Sequence, residues 1–420
     1  MTNSKEDIVE RTCIIVGASH AAAQLAPSLR QEGWEGRIVV IGDEPHLPYH
    51  RPPLSKAYLL GEKDSNDLLI RAADAYGKFG IEFRLGERVV SIDCERKSVT
   101  LQDGGALAYD KLALCTGTRV RTVALPGAQL EGVHYLRGIA DIDRIRRHVR
   151  PGAHAAIVGG GYIGLETAAV LNRLGMRVTV LEMAPRVLAR VTAPDVSAFF
   201  ERVHREEGVD ICTGVTVDRF EGEAHVERIV LRDGTVLPAS LVVVGVGVVP
   251  NVELAQAAGL DIDNGIVVDA CARTSDPDIV AAGDCSMHPS PYYGRIRLES
   301  VPNATEQAKA AAAALCGKDK PYRALPWFWS DQYDIKLQIA GLNAGYDQVV
   351  VRGSRDAGRS FSAFYLKAGR LVAADCINRA QEFMQSKRLI AEGIAVDAAR
   401  LSDETFSLKS LFEAAQQQSD

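Results

Sequence analysis

The chain contains two copies of one strand–turn–helix–strand unit, and this duplication restricts the possible folds more than any other feature. The second copy is "AIVGGGYIGLETAAVLNRLGMRVTVLE", Ala156 to Glu182, and the first is "CIIVGASHAAAQLAPSLRQEGWEGRIVVIGDE", Cys13 to Glu44. In each copy a short apolar run ends at a glycine, a helical pattern follows, and a second apolar run closes the unit. The sequence therefore predicts an α/β protein with two Rossmann-like βαβ units.

The second copy matches the dinucleotide-binding pattern G-x-G-x-x-G at Gly159, Gly161 and Gly164, and we call residues 159–164 the second glycine loop. The first glycine permits a tight turn, the second lets the backbone approach a pyrophosphate, and the third allows close packing of helix and strand. The N-terminus of the following helix attracts the phosphates. Glu182 ends the next strand, where a carboxylate accepts hydrogen bonds from an adenosine ribose. Together these features predict nucleotide binding.

The first copy departs from the pattern in its loop, residues 17–22, which we call the first glycine loop. It begins with a glycine but has Ser19 and Ala22 at the positions of the second and third glycines. Such small side chains still permit a close approach of a ligand. Asp43 or Glu44 supplies the carboxylate after the second strand. From this motif alone, an ordinary βαβ turn without a ligand stays open as the alternative.

The composition excludes several classes of protein. The 420 residues are 47% hydrophobic and 24% charged, a balance typical of globular proteins. A net charge of −6 and the lack of a long basic run argue against a nucleic-acid partner. The longest apolar run, residues 241–250, is shorter than the roughly 20 residues that span a bilayer. Because the first ten residues are polar and charged, without the apolar core of a signal peptide, we expect a cytoplasmic protein.

The cysteines are too far apart in sequence to form a redox dithiol or a zinc site of the usual spacing. No pair has the C-x-x-C or C-x4-C spacing. We therefore expect reduced cysteines and no metal site. The eight cysteines are Cys13, Cys94, Cys115, Cys212, Cys271, Cys285, Cys316 and Cys376.

The segments that follow the two βαβ units also resemble each other. Residues 88–118 and 220–251 each alternate short strands with polar turns and end in a buried apolar strand and a glycine. A helix is predicted from Pro302 to Leu315. From residue 326 the pattern changes to alternating strands and then to helical segments, which indicates a separate α+β domain.

Two short segments carry a resemblance to a known superfamily. "DIVAAGDCS", with Gly283 and Asp284, and "LALCTGT", residues 112–118, resemble the glutathione-reductase-like flavoproteins, which bind two dinucleotides. In that superfamily such an aspartate holds the ribityl chain of FAD. Three further segments, "PYHRPPLSKAYL", "ESVPNATEQAK" and "PWFWSDQYDIKLQIAGL", are similar to the FAD-dependent, NADH-linked ferredoxin reductases. This resemblance extends over essentially the whole chain and implies that one βαβ unit binds FAD and the other binds NADH.

The resemblance also implies a domain organisation. An FAD-binding domain comprises residues 1–118 and 247–325, and an NAD-binding domain, residues 119–246, is inserted into it. The C-terminal α+β domain comprises residues 326–420.

Three residues are implied in catalysis. Lys56, in "RPPLSK", places a cation near the isoalloxazine ring, and Glu166 pairs with it. Tyr162, inside the second glycine loop, covers the flavin face until nicotinamide displaces it. The alternatives from sequence alone are an exposed lysine after a turn, a locally satisfied helical glutamate and simple packing of Tyr162 in its loop.

The remaining cofactor-binding predictions come from the two loops and from the family segments. The helix that starts near Val301 and Pro302 directs its N-terminus toward the flavin pyrimidine, where its dipole favours negative charge on the reduced ring. Arg137 is implied to contact FAD. The predicted cofactor-binding residues are Gly17, Ser19, His20, Ala21, Ala22, Asp43, Glu44, Arg51, Pro52, Lys56, Val89, Thr116, Gly117, Arg137, Gly283, Asp284, Val301 and Pro302 for FAD, and Gly159, Gly161, Tyr162, Ile163, Gly164, Glu182 and Gly247 in the nucleotide-binding half.

Without a dithiol, electrons must leave the flavin directly, and a one-electron protein acceptor is the simplest destination. The resemblance implies a [2Fe–2S] ferredoxin that serves an oxygenase, a cytochrome P450 in preference to a Rieske dioxygenase. Two alternatives stay open. One is an NADH oxidase that produces peroxide, and the other is a redox-sensing interaction protein similar to apoptosis-inducing factor.

Ferredoxins are commonly acidic, so a basic surface is expected where one docks. In residues 365–390 the cations Lys367, Arg370, Arg379, Lys387 and Arg388 outnumber Asp375 and Glu382. The candidate docking residues are Lys387 and Arg388, together with Lys309 and Lys409 by resemblance. Trp327 and Trp329 are candidates for lining the exposed edge of the flavin. An ordinary solvated face and core packing are the respective alternatives.

Overall fold

The computed structural model describes residues 11–412. The prediction about a signal peptide concerns the first ten residues and lies outside this range, as do the outer ends of the first and last predicted domains. The described chain divides into two compact units. The first unit contains residues 11–50, Leu68–Arg119 and Val249–Ala324; the second contains Arg51–Asp67, Val120–Val248 and the residues from 325 onward.

The first unit is built on a five-stranded parallel sheet. Alternate residues of a strand face opposite sides of a sheet, and here both sides are buried. In the central strand, Cys13 and Ile15 belong to the apolar core on one side, and Ile14 and Val16 belong to the core on the other. The strand order is Ile279–Ala281, Lys111–Leu114, Thr12–Val16, Arg37–Gly42 and Ile81–Leu85.

Two helices pack against one side of this sheet and against each other. They are His20–Glu32 and Val301–Leu315, and alanines dominate their buried contacts, which allows a close approach. The remaining elements of the first unit are two short helices, an antiparallel three-stranded sheet and a mixed four-stranded sheet. They are Ala73–Gly77 and Glu253–Ala257; Val89–Asp93, Ser98–Leu101 and Ala106–Ala108; and Ile262–Asp263, Gly265–Val267, Ser286–Ser290 and Gly294–Ile296.

The second unit repeats the same parallel sheet. Its strand order is Asp210–Thr213, Arg177–Glu182, His154–Val158, Leu241–Val244 and Val133–Tyr135. In both units the strand before the glycine loop is central, and the strand after the loop helix lies beside it. The helices of this part are Ile139–His148, Tyr162–Arg173 and Pro194–Glu206, and an antiparallel sheet consists of Val217–Glu221, Arg228–Leu231 and Val236–Pro238.

The second unit also contains an antiparallel five-stranded sheet from the C-terminal part of the chain. Its strand order is Trp327–Gln332, Ile335–Gly341, Arg370–Ile377, Phe361–Lys367 and Gln348–Gly353. Helices Ala380–Glu392 and Ala398–Ser402 follow. An early segment of the same unit forms a 3-10 turn, Pro52–Ser55, and a short helix, Ala57–Leu60.

Thr118–Val120 and Val248–Pro250, where the chain passes between the units, pair as two short strands. The chain also passes from the second unit to the first within a 3-10 turn, Asn66–Leu68. The predicted fold class, α/β with two Rossmann-like parts and a C-terminal antiparallel part, is confirmed. None of the helices between residues 11 and 412 combines the length and apolar character that crossing a bilayer requires.

Candidate active site

The first glycine loop makes a sharp turn at the end of the central strand of the first unit. Gly17 has φ +106°, and a Cβ atom at this position would lie 2.1 Å from the carbonyl oxygen of Cys115, so only glycine fits. The helix begins at His20, and its first backbone bond runs from Ala23 N to Ser19 O (2.9 Å). A 13-residue helix thus starts directly in the loop, the geometry that favours an anion at a helix N-terminus.

The carboxylate of the first unit is displaced relative to that of the second. Strand pairing makes Gly42 the equivalent of Glu182. A Cβ at Gly42 would lie 2.5 Å from that of Ala18, which excludes a side chain there. Of the two predicted alternatives, Asp43 is exposed and pairs with Arg88. Glu44 is half-buried and accepts a 2.5 Å hydrogen bond from the Tyr49 hydroxyl, so Glu44 is the better-placed candidate.

The other first-unit candidates lie on loops and strands of that unit. Thr116 donates from its hydroxyl to the carbonyl oxygen of Asn251 (2.7 Å), and the carbonyl oxygen of Gly117 accepts from the amide of Asn251 (2.9 Å). Thr118 donates to Asp284 Oδ2 at 3.4 Å, after the strand Ile279–Ala281. Val89 is buried and begins a strand of the antiparallel sheet.

The helix Val301–Leu315 has a conventional N-terminus. Ser300 caps it by accepting a hydrogen bond from Asn303 N (3.3 Å), and Pro302 lies in its first turn, where a missing N–H does no harm. Asn303 Oδ1 and Gln307 Nε2 are buried without a hydrogen-bond partner within residues 11–412. Gln307 also accepts from the amide of Gly283 (2.8 Å), which links this helix to the loop of Asp284.

These features fit FAD. The glycine that no other residue can replace and the helix beginning in the loop suit a pyrophosphate, and the half-buried Glu44 suits a ribose. Asp284 lies on a loop with acceptor capacity for a polyol chain. Buried polar atoms on the helix Val301–Leu315 that still lack partners suit a polar ligand.

The second glycine loop has the same turn with the complete motif. Gly159 has φ +113°, and a Cβ there would lie 2.4 Å from the carbonyl oxygen of Gly245. A Cβ at Gly164 would lie 2.1 Å from the carbonyl oxygen of Gly159, so helix and strand pack as closely as the motif predicts. A Cβ at Gly161, in contrast, would have nothing within 4 Å. The chain's own packing does not require that glycine, and the space beside it is open to a ligand.

Glu182 folds its carboxylate back onto the loop. Its Oε2 accepts from Gly160 N at 2.6 Å and its Oε1 from Ala184 N at 2.7 Å. Each carboxylate oxygen has further acceptor capacity for the hydroxyls of a ribose. Arg186, the nearest cation along the chain, instead bonds Ser197 Oγ and a backbone carbonyl.

Two further second-unit candidates are Ile163 and Gly247. Ile163 is 48% exposed in the first turn of the helix Tyr162–Arg173, unusual for a large apolar side chain. Gly247 has φ +102°, and its carbonyl oxygen accepts from Arg121 N (2.9 Å). With the glycines and Glu182, these residues have the composition of an NAD(H) site.

Lys56 and Glu166, which lie far apart in sequence, form a mostly buried ion pair. Lys56 Nζ is 2.5 Å from Glu166 Oε2, and the side chains are 20% and 4% exposed. Ser55 donates to the same oxygen at 2.6 Å, and Ser330 donates to Oε1 at 2.6 Å. Lys56 also reaches the carbonyl oxygen of Pro52 at 3.2 Å. The carboxylate is therefore held on both of its oxygens by polar groups of the second unit.

Tyr162 packs in the loop with its ring against Phe328, at a centroid distance of 4.9 Å. Its hydroxyl oxygen is buried and has no hydrogen-bond partner among the described residues. Burial raises the pKa of this phenol well above its usual value, and the carboxylates of Asp375 and Glu166 add to the rise. Tyr162 thus remains a neutral aromatic surface, consistent with a ring that stacks on another ring.

Arg51 and Arg137 are brought together in the second unit. The guanidinium of Arg51 donates to the carbonyl oxygen of Arg137 at 2.8 Å. The amide of Arg137 donates to Asp141 at the start of the helix Ile139–His148. This places both residues beside the turn Pro52–Ser55 that precedes Lys56.

The basic residues predicted to dock a ferredoxin differ in the side chains that they contact. Lys387 lies over the rings of Trp327 and Phe383, 5.1 and 5.5 Å from their centroids. Arg388 pairs with Glu392 at 2.6 Å, and Lys309, in the first unit, pairs with Glu306 at 2.6 Å. Of the other basic residues of the segment, Arg379 pairs with Glu382 and Glu404. Of Lys387, Arg388 and Arg379 in the second unit, Lys387 is therefore the one whose described contacts are aromatic and not acidic.

Trp327 and Trp329 lie on one face of their strand, with their ring centroids 5.6 Å apart and their planes tilted by 32°. With Asp331, Lys336 and Gln338 they line a shallow cavity of about 210 Å³. The opposite face of the same strand carries Phe328 and Ser330, which contact Tyr162 and Glu166. Sequence reasoning singled out the tryptophans and missed Phe328 and Ser330, although the alternation of a strand separates the two sets.

The cysteines are free thiols in the structure. All eight lie within the described residues and none forms a disulfide. Burial raises the pKa of the thiols of Cys13, Cys115, Cys285 and Cys376, to about 12 for Cys376, which favours their protonated form at neutral pH.

Two Rossmann-like units, each with a glycine loop, a loop helix and a strand-end carboxylate, define a flavoprotein class that binds two dinucleotides. Residues 11–308 match the family described as pyridine nucleotide-disulphide oxidoreductase, and residues 327–412 match the family described as reductase C-terminal. The chain belongs to this oxidoreductase family. Membership implies FAD and NAD(H), so the predicted cofactors and enzyme class are confirmed.

Individual proteins match almost end to end. Putidaredoxin reductase of Pseudomonas putida is 47% identical over 409 residues, 96% of this chain and 97% of that protein. The crystal structure of the covalent putidaredoxin reductase–putidaredoxin complex matches with a TM-score of 0.94 at 47% identity, covering 97% of this chain and 99% of that one. The ferredoxin reductase for the CYP199A2 system from Rhodopseudomonas palustris matches with a TM-score of 0.92 at 46% identity, covering 95% and 99%. The predicted resemblance to ferredoxin reductases is confirmed.

Proposed function

We propose that the protein is an NADH-dependent ferredoxin reductase that supplies electrons to an oxygenase. The observation that carries this proposal is the end-to-end similarity to ferredoxin reductases, one of them solved in a covalent complex with putidaredoxin. One NADH and two oxidised ferredoxins yield NAD+, two reduced ferredoxins and a proton. FAD supplies the chemistry that converts a hydride into two single electrons, and the protein supplies binding, orientation and electrostatics.

The FAD-binding residues are the set predicted from sequence, with Glu44 in preference to Asp43. We assign the FAD-binding domain to residues 1–118 and 247–325. The glycine loop and its helix bind the pyrophosphate, and Asp284 binds the ribityl hydroxyls.

NADH binds at the second glycine loop, in a domain of residues 119–246. Gly159, Gly161 and Gly164 admit the pyrophosphate, and Glu182 accepts from both ribose hydroxyls of the adenosine. Because Arg186 is engaged elsewhere, no neighbouring cation along the chain offsets the repulsion between Glu182 and a 2′-phosphate. This arrangement favours NADH over NADPH.

Lys56 and Glu166 act as a pair. The ammonium group of Lys56 balances negative charge that develops nearby on reduction, and Glu166 holds that ammonium in place. Tyr162 would cover the flavin face until the nicotinamide replaced it. None of these groups forms a covalent bond in the reaction.

Electrons leave for a [2Fe–2S] ferredoxin without passing through a dithiol of this chain, because no two of its eight cysteines have the spacing of a redox pair. The C-terminal domain, residues 326–420, offers Lys387 beside Trp327 for docking, and Arg388, Lys409 and Lys309 are further candidates. Of the two oxygenase classes, we propose a cytochrome P450, which the similarity to the reductase of the CYP199A2 system from Rhodopseudomonas palustris supports. We also propose a cytoplasmic location, in keeping with eight unpaired cysteines.

The test is a visible spectrum of the purified flavoprotein, recorded anaerobically. NADH should bleach the flavin, and a [2Fe–2S] ferredoxin added next should become reduced, with little response to NADPH. Peroxide production with no reduction of ferredoxin would instead identify an NADH oxidase. Efficient coupling only to the ferredoxin of a Rieske dioxygenase would overturn the P450 assignment while preserving the reaction.

A further inference from the structure

A path of buried and partly buried hydrogen bonds runs from Glu166 to Tyr333 in the second unit. Ser330 Oγ is 2.6 Å from Glu166 Oε1, and Gln332 Nε2 is 3.1 Å from Ser330 Oγ. Gln332 Oε1 is 2.8 Å from His204 Nε2, and His204 Nδ1 is 3.3 Å from the hydroxyl of Tyr333. Four consecutive contacts therefore connect Tyr333 to Glu166, and we call them the hydrogen-bond path.

Local geometry explains why the path exists. Ser330 and Gln332 are two residues apart in the strand Trp327–Gln332 and so share one of its faces. Ser330 is 1% exposed, Gln332 2% and His204 0%. Because water does not reach these groups, each needs a protein partner. The helix Pro194–Glu206 presents His204 to Gln332 and thereby supplies the partner that the strand lacks.

The chemistry of the groups gives the path a single direction. An ionised Glu166 only accepts, so the proton of the Ser330 hydroxyl points to it, and Ser330 Oγ accepts from the amide of Gln332. The carbonyl oxygen of Gln332 then faces His204, which must carry its proton on Nε2. Burial lowers the pKa of His204 to about 4, so the ring is neutral at physiological pH and Nδ1 accepts from Tyr333. Every donor points toward Glu166.

We propose that the hydrogen-bond path is a positioning device for Glu166, in which His204, Gln332 and Ser330 fix the carboxylate so that Oε2 faces Lys56. Ser330 occupies Oε1, which leaves Oε2 for Lys56 and Ser55. Hydrogen bonds aligned head to tail strengthen one another, so the charge of Glu166 and the tautomer of His204 are coupled. The effect of this positioning on catalysis rests on the proposed function, whereas the predicted tautomer of His204 does not.

The direct test is the tautomer of His204 in the purified flavoprotein at neutral pH, from nitrogen chemical shifts of 15N-histidine-labelled protein. The signal is assigned by its loss in His204→Asn. We expect a neutral ring protonated on Nε2. In Glu166→Gln the residue at 166 can both donate and accept, the path loses its direction, and a mixture of tautomers should appear at His204. A ring protonated on Nδ1, a charged ring, or a tautomer that ignores Glu166→Gln would overturn the proposal.

A second arm measures catalysis. Ser330→Ala should slow reduction of the flavin by NADH about tenfold, because one hydrogen bond to a charged group is lost, with the Kd for NADH unchanged. Ser330→Thr keeps the hydroxyl and should restore most of the rate. Ser386→Ala, a buried serine of the same unit outside the path, serves as the matched control. An unchanged rate in Ser330→Ala contradicts a positioning role. If NADH fails to reduce the unmodified protein, the proposed function fails, and the tautomer arm still decides this inference.

Discussion

Lys56 Nζ lies 2.5 Å from Glu166 Oε2, and Glu166 is only 4% exposed. A carboxylate removed from water to this degree is stable only with a cation and further donors around it. Lys56 follows directly after the turn Pro52–Ser55, and Glu166 lies one turn into the helix that starts at the second glycine loop. The ion pair therefore ties the helix of the second glycine loop to the segment that carries the cation.

Removing the cation should impair catalysis more than folding. Lys56→Met is expected to slow stopped-flow reduction of the flavin by NADH at least tenfold, because it removes the positive charge that we propose lies beside the flavin. The exposed Lys63→Met, seven residues away, is the control and should leave the rate unchanged. Equal rates in both variants would remove Lys56 from the site.

A double variant separates charge from stability. Lys56→Met leaves a buried carboxylate unpaired and should lower the free energy of unfolding by about 3 kcal/mol. Lys56→Met combined with Glu166→Gln removes both charges and should recover most of that loss without recovering the rate. Denaturant unfolding measures the first quantity and stopped-flow absorbance the second. A double variant that regains activity would show that the ion pair is structural only.

The preference for NADH over NADPH should depend on Glu182. A charge-assisted hydrogen bond is worth about 1.5–3 kcal/mol, which corresponds to a roughly 10- to 150-fold preference in kcat/KM before repulsion is counted. Glu182→Ala should weaken the use of NADH and reduce the preference, and Glu182→Arg should shift it toward NADPH. Since Glu182 also accepts from Gly160 and Ala184, Glu182→Gln is the control that retains part of this support. Equal kcat/KM values for the two nucleotides in the unmodified protein would falsify the assignment.

The two βαβ units and the second glycine loop could be predicted because their signals are local. Glycine spacing, apolar periodicity and a strand-end acid all lie within one short segment. The helices His20–Glu32 and Tyr162–Arg173 confirm the helical pattern predicted after each glycine loop. The pairing of Lys56 with Glu166 came from family resemblance, since nothing local relates residues so far apart.

What sequence could not supply depends on tertiary packing. Ser330 and His204 are single polar residues whose roles depend on the side chains that they contact in the folded protein. Alternation along a strand predicts which side of the sheet Ser330 is on, but not which side chain it contacts there. The displacement of the first-unit acid to Glu44 follows from contact between Gly42 and Ala18. In contrast, the ion pair between Arg388 and Glu392 could be predicted from sequence, because residues four apart on a helix lie on the same face.

Flavin retention should depend on Asp284. This half-buried aspartate lies on the loop after Ile279–Ala281 and has capacity for the hydroxyls of a ribityl chain. Asp284→Ala should purify with much less FAD, measured as the ratio of flavin to protein absorbance. Asp263→Ala, an exposed aspartate of the same unit, should retain full occupancy. Full flavin content in both variants would count against the assigned contact.

Stability should depend on pH through Asp375. Burial raises the pKa of this carboxyl to about 7 from 3.8, and the groups that face it are the hydroxyl of Tyr365 and the phenol of Tyr162. The folded protein therefore binds a proton that the unfolded chain releases. Its stabilising effect is complete below pH 4 and is lost as the pH rises from about 4 to about 7.

Asp375→Asn mimics the protonated form and should gain stability relative to the unmodified protein by about 1.4 kcal/mol per pH unit across this window. The difference should be constant above it. Asp356→Asn, at a side chain that is 84% exposed, should show no such trend. Denaturant unfolding at several pH values provides the measurement, and parallel curves for Asp375→Asn and the unmodified protein would contradict a raised pKa.

Ferredoxin docking should depend on the basic surface around Lys387. Lys387→Glu combined with Arg388→Glu should raise the KM for the ferredoxin several-fold, because it places negative charge opposite an acidic partner. Reduction of ferricyanide, which needs no docking surface, should be nearly unchanged. Lys318→Glu combined with Lys320→Glu is the control: it changes the net charge equally, at residues of the first unit that pair with Glu32. Only the first pair should raise the KM, and added salt should reduce the difference. Equal effects of both pairs would indicate a response to net charge, and equal losses with both acceptors would indicate damage to the flavin site.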